Sequence, residues 1–176
     1  MTLNRSLIAA ALMLANLATA WAHGPTPQKV EESIIIAAPP DAVWKVLGSF
    51  GGIADWQPLV KSVATTGGDT PGAERVLTLA KGQIAEGLDE YDAPARRYGY
   101  RMSKENIEAL PVSFYTATIE VKEAPGGSEV LWIGRFYRAD TTNEPPDEYN
   151  DEAAIAAMTN FFKQGLEGLK AKVAGK

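Results

Sequence analysis

The stretch from Ser33 to Pro58 constrains the fold more than any other part of the chain. A β-branched run, Ser33-Ile34-Ile35-Ile36, is stopped by Pro39 and Pro40, and Asp41, Val43, Trp44 and Leu47 follow at helical spacing. Gly48, Gly51 and Gly52 then turn the chain, and Trp56-Gln57-Pro58 closes a second short helix. Proline at a helix start forfeits no hydrogen bond, because first-turn amides have no intrahelical acceptor, and Asp41 favours the positive end of the helix dipole. The expectation is a strand over Val30 to Ala37, a helix to about Leu47, and a second short helix. That order suits an α+β domain whose curved antiparallel sheet wraps a long C-terminal helix and can leave an apolar cavity between them.

Six further segments have strand character: Val60 to Thr65, Glu74 to Ala80, Gln83 to Tyr91, Arg97 to Ser103, Ser113 to Lys122 and Glu129 to Arg138. Turn residues separate them, among them Gly67-Gly68-Asp69, Lys81-Gly82, Asp92-Ala93-Pro94 and Pro125-Gly126-Gly127. Short links make neighbouring strands antiparallel. The one long irregular stretch expected is Asp140 to Pro146. A final helix is predicted from about Asp147 to Val173, with Ile155, Met158, Phe162, Leu166, Leu169 and Val173 on one face. Gly165 and Gly168 within it either permit close packing or leave space for a bound molecule.

The first 22 residues read as a secretory signal: one positive charge at Arg5, an apolar core from Leu7 to Ala18, and Ala20 and Ala22 around Trp21 as a cleavage site. Cleavage after Ala22 and a periplasmic location are the expectation. That core is too short for the roughly 20 residues of a membrane-spanning helix. Removing Arg5 from the 17 basic side chains leaves 16 against 22 acidic ones and moves the formal charge from −5 to −6, which disfavours a nucleic-acid partner. The chain has no cysteine and one histidine, His23. Thiolate catalysis, cysteine metal sites, a Ser-His-Asp arrangement within the domain and multi-histidine metal sites are therefore excluded, and no cofactor is expected. His23 would become the mature N-terminus, ahead of an extended leader to Gln28.

The order strand, two short helices, six strands and long helix resembles the SRPBCC superfamily of START-like, helix-grip proteins, over residues 29–176. Ala38-Pro39-Pro40-x-x-Val43-Trp44, Phe50-Gly51-x-x-x-x-Trp56-x-Pro58, Gly72-x-x-Arg75-x-Leu77-x-Leu79 and Glu86-x-Leu88-x-x-Tyr91-Asp92 resemble its polyketide cyclase/dehydrase branch. Narrower features are the signal, the His23–Gln28 leader, Leu110-Pro111-Val112-Ser113-x-Tyr115 and Trp132-x-Gly134-Arg135-Phe136-Tyr137-Arg138. These look like exported MxaD-type proteins of bacterial methanol oxidation. That resemblance implies an accessory role beside a periplasmic quinoprotein dehydrogenase and its cytochrome c.

Alternation places Arg75, Leu77 and Leu79 on one face of their strand, and Ile84, Glu86 and Leu88 on one face of the next. Facing inward, Arg75 and Glu86 would line a cavity or form a structural ion pair; facing outward, they would be a pair on the exposed face. Trp56, Tyr100, Tyr115, Trp132, Phe136 and Phe162 join them as candidate ligand contacts, each with core packing as the plainer role. Trp56 reads as a packing plug, Asp55 as a turn or cap residue. No catalytic residue is assigned. The leading reading is an exported, non-enzymatic accessory or binding protein for a small apolar ligand. The alternatives are an enzyme using Glu86 as general acid or base, with Tyr100 or Arg75 polarising a carbonyl, and an interaction module with a filled cavity. Asp147, Glu148, Asp151 and Glu152 suit the last helix's dipole and are candidate docking residues for a basic partner.

Overall fold

The computed structural model describes residues 24–175, so the segment read from the sequence as a signal, and His23, lie outside the described residues. Strand β1 (Gln28–Ile36) leads into helix α1 (Pro40–Leu47) and a 3-10 turn at Phe50–Asp55. Strands β2 (Ser62–Thr66), β3 (Glu74–Leu79), β4 (Gly82–Asp92), β5 (Arg97–Lys104), β6 (Val112–Ala124) and β7 (Gly127–Arg138) follow, and helix α2 (Asp151–Val173) ends the domain. All seven strands form one antiparallel sheet in the order β1-β7-β6-β5-β4-β3-β2. The helix-grip architecture read from the sequence is therefore present.

Curvature comes from irregular pairing. Register shifts at Ala85/Glu86 and Leu88/Glu90 bend β4 against β5, and another between Ser113 and Thr116 bends β6 against β7. An extra residue on one strand of an antiparallel pair tightens the local twist. The concave face collects Leu77, Ile84, Leu88, Tyr98, Ile119 and Trp132, and α2 closes it by packing on β1 and β7. Full burial of such side chains contributes about 1.5–3 kcal/mol each.

Three sequence expectations need correction. The last helix starts at Asp151, after a 3-10 turn at Asp147–Tyr149, because the Asn150 side chain caps it by accepting from the Ala153 amide at 2.9 Å. Its buried face runs through Ala154, Met158, Phe161, Phe162, Gly165, Leu166 and Leu169, while Ile155 is exposed. The β5–β6 link from Glu105 to Pro111 is also irregular, and it has neither glycine nor an early proline to announce it. Asn106 organises that link, its side-chain oxygen accepting from the amides of Glu108 and Ala109.

Gly165 and Gly168 serve close packing. A Cβ at Gly168 would collide with the Trp56 carbonyl oxygen, and one at Gly165 would lie 2.8 Å from the Trp132 ring. Helix α2 thus rests directly on the Trp56-Gln57-Pro58 corner. Among the described residues no helix is long and apolar enough to cross a membrane.

Candidate functional site

Strands β3 and β4 pair in a register that sets Arg75 opposite Glu86, and both side chains are fully buried. Arg75 Nε donates to Glu86 Oε2, and Arg75 Nη1 donates to the Phe50 carbonyl oxygen at 2.6 Å. The guanidinium lies 4.1 Å above the Phe50 ring and 4.8 Å above the Tyr100 ring. The pair thereby ties the 3-10 turn after α1 to the sheet. Arg75 Nη2 and Glu86 Oε1 remain buried with no hydrogen-bond partner among the described residues, as does Trp56 Nε1.

Burial works against the Arg75 charge, yet Glu86, Tyr98 and Tyr100 around it hold it above the ordinary arginine range. The same burial pushes the Glu86 carboxyl up, against the pull of Arg75. Arg75 stays a cation, and Glu86 is the member whose charge the interior opposes. Burial raises Tyr98 to about 12 and Tyr100 well above the usual phenol value.

Around this pair the rings fill the interior. Trp132 stacks on Phe162 with centroids 4.2 Å apart and donates from Nε1 to the Tyr100 hydroxyl at 2.9 Å. Trp56 meets Trp132 edge-on at 5.7 Å, and Tyr115 meets Tyr100 edge-on at 6.2 Å. Trp56, Arg75, Glu86, Tyr100, Tyr115, Trp132, Phe136 and Phe162 are thus gathered in one buried interior, largely against each other.

The concave surface that adjoins this interior lies at its edge. Between α2, the β3–β4 turn and the β5–β6 link is an apolar pocket of about 180 Å³, lined by Leu59, Leu79, Leu110, Pro111, Ala157 and Phe161 among others. Phe161 is its connection inward, since its ring meets Trp132 edge-on at 5.9 Å. The predicted docking residues separate: Asp147, Glu148 and Glu152 are exposed, whereas Asp151 is engaged by Arg138 at 2.9 Å.

Sequence reasoning missed several polar anchors. Gln57 is fully buried and donates from Nε2 to the Phe161 carbonyl oxygen at 2.8 Å, fixing the corner against α2. Asp69 accepts from the Phe50 amide, and the Tyr91 hydroxyl donates to the Gly48 carbonyl. These bonds span long sequence separations, so no local pattern announces them; only the neighbouring Trp56 and Pro58 marked Gln57.

The family model for polyketide cyclase / dehydrase and lipid transport matches residues 27–174. The chain belongs to this family. The polyketide cyclase family is thereby shown over essentially the whole described domain, within the SRPBCC superfamily. A solved structure of the protein XoxI from Bacillus cereus is similar at 28% identity and a TM-score of 0.64, covering 86% of this chain and 96% of that one. The Zhui aromatase/cyclase from Streptomyces sp. R1128 matches with a TM-score of 0.67 at 18% identity, over 85% of this chain and 94% of its own. Norcoclaurine synthase from Thalictrum flavum matches with a TM-score of 0.65 at 15% identity, over 87% and 90%. The last two likenesses are of fold alone. No curated protein matches the chain.

Proposed function

We propose that the chain binds a small, largely apolar molecule in the pocket between α2 and the β3–β4 and β5–β6 links. The carrying observation is the apolar lining of that pocket and its contact through Phe161 with the aromatic interior. A volume of about 180 Å³ suits one ring or a short alkyl group, and apolar lining with few polar groups is the usual make-up of such sites. Membership of a family described as polyketide cyclase / dehydrase and lipid transport supports the reading. An amide NMR titration with benzyl alcohol should shift Leu79, Ala109 and Ala157. A spectrum unchanged at millimolar probe would remove the proposal.

A cyclase-like enzyme is the second reading, favoured by the free Glu86 Oε1 beside Arg75 and Tyr100. Burial suits the carboxyl to proton transfer, with Arg75 or Tyr100 polarising a carbonyl. Probe shifts centred on Glu86 in place of the pocket, and turnover lost in Glu86→Gln, would select this reading.

An exported accessory role in periplasmic alcohol oxidation is the narrower form of the binding proposal. Phe114, at the unspecified position within the Leu110–Tyr115 phrase, lies on the surface, 72% exposed, with a left-handed backbone (φ 50°). A ring held outward in that way suits docking better than core packing. Capture of a quinoprotein dehydrogenase or cytochrome c by the wild type, lost in Phe114→Asn, would support it; equal capture by both would remove Phe114 from it.

A further inference from the structure

We infer that the groove selects an amphiphilic cation, a short apolar group joined to an ammonium. This rests on the binding reading above and adds the charge of the occupant. The apolar pocket does not end at Pro111. That residue also lines a second hollow of about 340 Å³, whose other walls are Lys81, Ile107, Glu108, Glu148 and Tyr149. Ala80 of the first hollow and Lys81 of the second are consecutive in the chain, so an apolar wall continues directly into a charged one.

The two carboxylates come from separate elements. Glu108 belongs to the β5–β6 link and Glu148 to the 3-10 turn before α2, and the fold brings both to one hollow. Both are exposed, and neither is in an ion pair among the described residues. Lys81 offsets one of them, which leaves a net negative wall. A molecule seated with its apolar group against Phe161 and Ala157 extends its head past Pro111 toward this wall. There an ammonium gains attraction, an alcohol gains none, and a carboxylate is repelled. One net charge at contact distance in water is worth about fivefold in affinity, and salt screens it.

The test is an amide NMR titration of the purified protein at low ionic strength with benzylammonium, benzyl alcohol and benzoate. All three share a ring and differ in the head. The expected result is shifts at Ala80, Ala109 and Ala157, with benzylammonium about fivefold tighter than benzyl alcohol and benzoate weakest. The preference should be lost or reversed in the double variant Glu108→Gln/Glu148→Gln, which leaves Lys81 as the one charge of the wall, and rise in Lys81→Gln; all three residues are exposed, so these variants keep the fold. Equal binding of alcohol and ammonium, tighter binding of benzoate, or a preference that survives the double variant overturns the charge inference and leaves the binding reading standing. No shift with any probe overturns both.

Discussion

Arg75 and Glu86 sit opposite each other on adjacent strands and meet in the buried interior, where neither residue is exposed to solvent. Removing one partner strands the other charge. Arg75→Met should therefore cost about 3–5 kcal/mol, while Arg75→Met/Glu86→Leu together should recover much of that loss. Urea unfolding of the three proteins checks it; a double variant as unstable as the single one would show that the bond to the Phe50 carbonyl, and not the ion pair, dominates.

Alanine normally stabilises a helix interior relative to glycine by about 1 kcal/mol. At Gly168 the sign should reverse, because the added methyl meets the Trp56 carbonyl. A loss of about 1–3 kcal/mol is expected for Gly168→Ala, the range typical of overpacking. Thermal melts of the variant beside wild type decide the matter, and a higher Tm would mean that α2 lifts off the corner at little expense.

Gln57→Leu keeps the bulk of the side chain but removes the donor to the Phe161 carbonyl. The expected loss is about 0.5–1.5 kcal/mol, the net contribution of one hydrogen bond, since the Phe161 carbonyl keeps its own bond within α2. Hydrogen exchange should quicken around Phe161 in α2; exchange unchanged there would contradict the anchoring role.

Tyr98 titrates near 12 when folded and near 10 when unfolded, so the folded chain holds this proton longer. Its contribution is complete below pH 10 and is lost as pH rises through about 12, amounting to roughly 2–3 kcal/mol over that window. Stability measured from pH 9 to 12 should fall less steeply in Tyr98→Phe than in wild type. Parallel curves would place the alkaline loss on another group.

Phe114 occupies a backbone region that favours asparagine or glycine over a bulky ring. Phe114→Asn should leave Tm unchanged or raise stability by up to about 1 kcal/mol. A clear loss would mean that the exposed ring contributes to packing.

Legibility differed by the range of the interactions involved. The β1 to α1 passage was plain because Pro39, Pro40 and the isoleucine run act within a few residues, whereas period-two alternation grouped Arg75 and Glu86 with apolar neighbours but left open which face is buried. The start of α2 was misplaced because Asp147 and Asn150 are both good cap residues, and only the 3-10 turn between them separates the two. The glycines of α2 were ambiguous until Trp56 was seen beneath them. The pocket went unread for the same reason: Leu59, Leu110 and Phe161 come from three distant segments, and each alone looks like an ordinary core residue.

The first strand of the sheet pairs with the last. Among the described residues β1 is an edge strand that pairs with β7 alone, with Gln28 opposite Phe136, and the same strand packs under α2. Bringing such distant segments together spends loop-closure entropy before any contact repays it, which slows folding. On the ribosome, β1 emerges first and waits for residues up to Arg138 before it finds its neighbour. Strands β2 to β7 can thus be secured in the order in which they are made, while the earliest strand is among the last to be held.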